Sequence, residues 1–161
     1  SSRPGSAPVS EQEELDRVCP VVEALAQLSR ISGDIENPGS RKFYISVDTV
    51  KAKVARECMK LGAHIINDIS ACAMDPDMPA AVAQTGAAVV LNHMRGNFGT
   101  MQQDFKPYEN VVEEVRSELL AQADKLRAAD RFLLPHNQAK SIFTLVDLRC
   151  IHNDASFSLL R

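Results

Sequence analysis

The run from Phe43 to Ser70, FYISVDTVKAKVARECMKLGAHIINDIS, leaves a chain few folds to choose from. Phe43 to Val47 is short, apolar and β-branched, as a buried strand requires. Val50, Val54, Cys58 and Leu61 then fall on one helical face, and Gly62 stands where a C-terminal glycine is favoured. His64 to Asn67 is a second strand. A strand, helix and strand joined by a right-handed crossover give two parallel strands with the helix on one side. Both strands end in polar pairs, Asp48 with Thr49 and Asn67 with Asp68. Parallel α/β architectures place their chemistry at the carboxyl ends of strands, so these pairs mark a candidate site.

The same alternation extends to either side. Val9 to Arg30 carries Leu15, Val18, Val22, Leu25 and Leu28 at helical spacing, with Ser10 and Glu13 as a capping box. Residues 31–42 are polar and contain Gly and Pro, which predicts a loop. Thr49 is expected to cap the helix that starts at about Val50. Asp75, Pro76 and Asp77 lead into a helix from about Met78 to Gln84 that stops at Gly86, and Ala87 to Asn92 is a continuous apolar strand. After the loop HMRGNFGTMQQDFKPYEN, a long helix from about Val111 to Ala128 is built on Val112, Val115, Leu119, Ala123 and Leu126. A TIM-type barrel and an open doubly wound sheet both satisfy this order. No G-x-G-x-x-G and no G-x-x-x-x-G-K-[ST] supports dinucleotide or P-loop phosphate binding. Polar residues recur at strand after strand, as in barrels, and a whole barrel takes roughly 200–250 residues. The 161 residues are expected to hold a partial (β/α)8 barrel of the α/β class, about half of one.

Residues 130–161 differ in character from residues 1–129. They hold half of the six Phe, and Ser141 to Leu148 is a possible strand with no well-capped helix after it. They are expected to form a divergent tail, disordered or foreign to the preceding pattern. The net charge of −3 and the lack of any Lys/Arg cluster larger than a pair such as Arg41 and Lys42 argue against nucleic acid or an anionic membrane as partner. A small molecule fits better. Cys19, Cys58, Cys72 and Cys150 are scattered without a C-x-x-C, which suits reduced thiols in an intracellular compartment, cytosolic or mitochondrial. No apolar run is long enough to cross a bilayer. His136, Cys150 and His152 lack the fourth ligand and regular spacing of a zinc site. The chain opens on Ser within an apparent loop, so truncation is expected.

Four collinear pieces, SSRPGS, ISVDTVKAKVARE, GAHIINDIS with a following DP, and VLNHMRGNFGTMQ, resemble dihydropteroate synthases of the pterin-binding TIM-barrel family. The resemblance covers about residues 1–129 and implies strands 3 to 5 of that barrel with their helices. It implies condensation of 6-hydroxymethyl-7,8-dihydropterin pyrophosphate with para-aminobenzoate, with Mg²⁺ assisting departure of pyrophosphate. By the same resemblance, Asp48 and Asn67 are pterin contacts and Met94 packs on the pterin ring. Ser2 and Arg3 belong to the loop that meets the aminobenzoate and the phosphate side. Asp68 is expected to support the loop, while His93 and Arg95 receive no definite role. Without the resemblance, Asp48 with Thr49 reads as a helix cap, Asn67 with Asp68 as an Asx-turn, and Met94 as a core residue.

The family's Asn-x-Thr-Pro-Asp-Ser-Phe loop, whose asparagine helps hold the metal, does not occur in these residues. Nor do the sixth-strand Asp-Pro-Gly, the glycine-phenylalanine-glycine-lysine turn, or the later Lys and Arg-x-His. Asp147 follows an apolar run, but without Pro-Gly it inherits no role. No metal ligand and no certain catalytic residue is therefore assigned, and this polypeptide alone is expected to be inactive. The parent is expected to be a homodimer or fused to other folate-pathway domains. Two alternatives are a non-catalytic barrel domain acting as an interaction partner and a related pterin-dependent methyltransferase. The RPG loop and the HMRG segment argue against the methyltransferase.

Overall fold

The computed structural model describes residues 8–34, 43–94, 107–133 and 144–147. Their order is α1 (Glu11–Asp34), β1 (Ser46–Asp48), α2 (Ala52–Leu61), β2 (Ile65–Asp68), α3 (Met78–Thr85), β3 (Ala88–Asn92), α4 (Val111–Leu133) and β4 (Thr144–Asp147). The four strands form one parallel sheet in sequence order, β1-β2-β3-β4. On one face the helices pack in succession, α1 on α2, α2 on α3 and α3 on α4. This is the partial barrel expected from the sequence.

The core lies between that helix layer and alternate strand residues. Ile45 and Val47, then Ile66, then Val89 and Leu91 are all buried. From the helices come Leu15, Val22 and Ala26 of α1, Val54, Ala55 and Cys58 of α2, Met78, Ala81 and Val82 of α3, and Val115, Leu119, Ala123 and Leu126 of α4. The intervening residues Ser46 and Asp48, Ile65 and Asn67, and Ala88 and Val90 are more exposed and share the opposite face.

Several boundaries differ from expectation, each for a local reason. The Ser10 cap forms, its hydroxyl accepting from the Glu13 N–H at 3.2 Å. The Glu13 carboxylate does not complete the box and instead pairs with Arg17 one turn on. α1 runs past Arg30 to Asp34 and continues through Pro20, an exposed position. Its buried face is Leu15, Val22 and Ala26, with Val18 and Leu25 partly covered and Leu28 exposed, so the seam follows small residues that allow close approach to α2. α4 likewise turns Val112, 49% exposed, away from the core.

α2 begins at Ala52, not Val50, and Thr49 is not its cap. The N-cap residue is Lys51, without a side-chain cap. Asp75, from the β2–α3 loop, accepts the Ala52 N–H at 2.7 Å, and its other carboxylate oxygen accepts the Asp77 N–H at 2.9 Å. A negative charge at a helix N-terminus satisfies an orphan donor and meets the positive end of the helix dipole. The same carboxylate ties together two of the loops at the carboxyl end of the sheet.

The sheet also does not end where the family resemblance ends. Of residues 130–161, the described ones are the last turn of α4 and β4, Thr144–Asp147, which lies within the possible strand Ser141 to Leu148; the rest of the expected divergent tail lies outside the described residues. β4 pairs with β3 in parallel register, Val89 with Thr144 through Asn92 with Asp147. The β-branched, apolar run TLV provides the strand chemistry that the open edge of β3 selects.

Gly62 closes α2 in left-handed geometry, φ 112°, and its N–H bonds back to Met59 at 3.2 Å. A Cβ at this position would lie 2.8 Å from the Ala26 Cβ of α1. Gly62→Ala should therefore lower stability by about 2 kcal/mol, from left-handed strain and forced separation of α1 from α2. In thermal unfolding this appears as a midpoint roughly 4–8 °C lower, and Ala26→Gly in the same chain should recover part of it. An unchanged midpoint would contradict the close helix approach.

Candidate functional site

Each of the first three strands ends in two adjacent polar residues, and the two-residue period of a strand sends them to opposite faces. Asp48, Asn67 and Asn92 share the face away from the helices. Thr49, Asp68 and His93 share the helix face and are buried, at 6%, 0% and 6% exposure.

On the open face the side chains form a row. The Asn67 Nδ2 donates to the Asp48 Oδ1, and the Asn92 Nδ2 donates to the Asn67 Oδ1 at 2.8 Å. Parallel register explains the first contact, since Asp48 pairs directly with Asn67. Asn92 stands two residues beyond Val90, the register partner of Asn67, and so on the same face one pleat further along. Asp147 of β4 pairs with Asn92, continuing the series of Asp and Asn positions across the sheet. A carboxylate only accepts hydrogen bonds, so Asp48 fixes which way the Asn67 amide points, and Asn67 in turn orients Asn92. Asp48 is exposed and Asn67 half-buried, so their carboxylate and amide can meet a planar heterocycle with donors and acceptors on its edge, while Asn92, 5% exposed, supports Asn67 from within the sheet.

On the helix face each polar residue has a partner that braces the sheet. The Thr49 hydroxyl donates to Glu14 of α1 at 2.6 Å and accepts the Lys51 N–H at 3.2 Å, while the Lys51 ammonium pairs with the same Glu14 carboxylate. His93 Nε2 lies 2.6 Å from the Glu118 carboxylate of α4, and the Tyr108 ring tilts against its imidazole at 6.0 Å. Asp68 organises its own loop. It accepts from the Ser70 N–H at 2.8 Å, the Ser70 hydroxyl at 2.7 Å and the Cys72 N–H at 3.1 Å. These bonds hold Ala71 and Cys72 at φ 51° and 63°, left-handed conformations that cost non-glycine residues roughly 1–2 kcal/mol each. Burial pushes the Asp68 carboxyl above its usual range, against the opposing pull of those hydrogen bonds. Burial, with Asp68 adding to it, also pushes the Cys72 thiol up to about 12, leaving it a protonated packing group.

The structure thus brings together Asp48 and Asn67 of the expected pterin contacts and assigns Asp68 the loop-supporting position expected of it. Met94 follows two residues after Asn92 and is partly buried. Ser2, Arg3 and Arg95 lie outside the described residues. Sequence reasoning missed Asn92, although its signal was present: a third apolar run closed by Asn. It also missed Glu14 and Glu118, which sit among exposed helix charges and acquire partners only when the helices dock. Among the described residues no group of three or more His, Cys, Asp or Glu could hold a metal ion. No described helix is long and apolar enough to cross a membrane.

Residues 1–131 match the family described as pterin binding enzyme. Over 129 residues the chain is 45% identical to the dihydropteroate synthase of Escherichia coli K12, a match covering 80% of this chain and 41% of that protein. It is 41% identical over 120 residues to a mitochondrial bifunctional folate synthesis protein of Arabidopsis thaliana, covering 74% of this chain and 20% of the relative. Its structure superposes on a Yersinia pestis dihydropteroate synthase, solved as a sulfonamide drug complex, with a TM-score of 0.73 and 37% identity. That superposition covers 91% of this chain and 46% of the other. The chain spans less than half the length of these relatives.

The raised titration of Asp68 has a defined sign. Between its ordinary 3.8 and its raised folded value, the native state holds more protons than the unfolded state, so its contribution to stability falls as pH rises through that window. Asp68→Asn removes the titration and turns an amide donor toward the Cys72 or Ser70 donors, a loss of roughly 1–3 kcal/mol. Urea unfolding at stepped pH should show the variant less stable at the acid end and the gap to wild type narrowing as pH rises. A pH-independent gap would refute this account of Asp68.

Proposed function

This chain belongs to the pterin-binding enzyme family, and we propose that its strand ends form part of the pterin pocket of a dihydropteroate synthase. The parent reaction on this reading joins 6-hydroxymethyl-7,8-dihydropterin pyrophosphate to para-aminobenzoate. The C–O bond to pyrophosphate breaks, the arylamine nitrogen bonds to the pterin methylene, and that nitrogen loses a proton. The observation that carries the proposal is the Asp48–Asn67–Asn92 row across three consecutive strand ends.

Asp48 is the anchor. Its carboxylate accepts from pterin ring N–H groups and offsets the positive charge that develops as pyrophosphate departs. Asn67, with its amide already oriented, offers one donor and one acceptor to the neighbouring ring edge, and Met94 supplies a polarizable surface against the ring. Ser2 and Arg3 are proposed to meet the aminobenzoate and phosphate side, where a guanidinium suits an oxyanion. Mg²⁺ would assist pyrophosphate departure in the parent enzyme. The bifunctional Arabidopsis relative supports a parent polypeptide carrying further folate-synthesis domains.

Two measurements test the reading. Calorimetric titration of the 161-residue chain with a 6-hydroxymethylpterin should give weak, saturable binding. Asp48→Ala should weaken it roughly 10- to 100-fold, the loss of a charge-assisted hydrogen bond, while Lys53→Ala leaves it unchanged. Absence of saturable binding by the unmutated chain would overturn the pocket assignment. With both substrates and Mg²⁺, this polypeptide alone should form no dihydropteroate, because its sequence carries neither the Asp-Pro-Gly nor the glycine-phenylalanine-glycine-lysine segment that completes the family's pocket. Product above background would refute that part.

A further inference from the structure

The α1–α2 seam holds a pair of thiols for which the pocket has no use. Cys19 of α1 and Cys58 of α2 lie within side-chain hydrogen-bonding reach of one another. Cys58 is fully buried, while Cys19 is partly exposed. The two helices come unusually close along this seam. Leu15, Cys19, Val22 and Ala26 recur at spacings of three and four on α1, and Ala26 meets Gly62, four residues beyond Cys58, so tightly that no Cβ fits there. Contacts advance together from Cys19 with Cys58 to Ala26 with Gly62, so the helices run the same way and pack closely where the two thiols meet.

We propose that Cys19 and Cys58 form an oxidation site, joined by thiol–disulfide exchange with a low-molecular-weight disulfide of the glutathione class. The Cys19 sulfur, the one open to solvent, attacks the glutathione disulfide. One glutathione thiolate leaves, and a mixed disulfide remains on Cys19. The Cys58 sulfur then attacks the Cys19 sulfur, its S–H proton passing to the second departing glutathione thiolate. Two protein thiols are oxidised, and one glutathione disulfide is reduced to two glutathione thiols. Burial, reinforced by the neighbouring Cys19, pushes the Cys58 thiol up to about 12, so it is inert toward reagents in solution. Attack on an adjacent sulfur depends instead on proximity. Cys72, also buried, faces the Asp68 carboxylate and not a thiol, so it has no such route.

The position gives the link a consequence. Cys19 lies little more than one turn from Glu14, whose carboxylate holds Thr49 and Lys51 immediately after Asp48. Oxidation would pin the helix that braces the β1 end of the pocket.

The test uses the full chain in native buffer with glutathione disulfide, quenched by unfolding in guanidinium chloride containing iodoacetamide and then digested with trypsin without reductant. The expected result is a linked pair of peptides, residues 18–30 with 57–60, and a fall from four alkylatable thiols to two. The link should form at least about tenfold faster in the folded chain than in urea, as proximity requires. Cys72→Ser should retain the link, and Cys19→Ser should leave Cys58 reduced. A persistent glutathione adduct on Cys19, a link to another cysteine or between copies, or equal rates folded and unfolded would each overturn the proposal.

Discussion

A parallel strand can offer two consecutive polar residues to two different environments, and the architecture of this chain rests on that constraint. At the carboxyl end of β1, β2 and β3 the inward and outward positions are adjacent in sequence but lie across the sheet from one another. On β1 and β2 one member of the pair, Asp48 or Asn67, is exposed enough to meet a ligand and the other is buried, whereas on β3 both Asn92 and His93 are buried. A shift of one residue in any strand would bury Asp48 or Asn67 and expose Thr49 or Asp68. The parallel pairing of β1 with β2 and of β2 with β3 is therefore also what assembles the row on the open face.

The buried members determine whether this arrangement is tolerable. Every buried side-chain nitrogen or oxygen among the described residues has a partner. Thr49 and Lys51 share Glu14, His93 has Glu118, and Asp68 gathers three donors from residues 70–72. A lone desolvated carboxylate would oppose folding strongly, and these bonds offset that cost while shaping the loop next to Asn67. Structural support and ligand-facing chemistry are divided between neighbours, so a change in one need not imitate a change in the other.

Much of this was legible in the sequence because the relevant signals are local. Periodicity located α1 to α4, and terminal glycines placed the ends of α2 and α3. The polar pairs after apolar runs pointed to Asp48 and Asn67. What was not legible depends on contacts between distant segments. Thr49 reads as a helix cap, yet its hydroxyl turns to Glu14, 35 residues earlier, and the α2 N-terminus takes Asp75 from 23 residues later. β4 falls inside the possible strand Ser141 to Leu148, but its parallel pairing with β3 was not legible.

The row on the open face also has a direction. Asp48 is its terminus, a group that cannot donate while ionised, and each amide after it is turned by the one before. Two asparagines alone would be free to rotate their amides and present either polarity, like the disordered protons of ice. The carboxylate acts as a boundary condition that removes this degeneracy. Discrimination between heterocycles that differ only in the placement of one ring hydrogen would then be inherited along the row from a single charge, including at Asn92, which Asp48 does not itself touch.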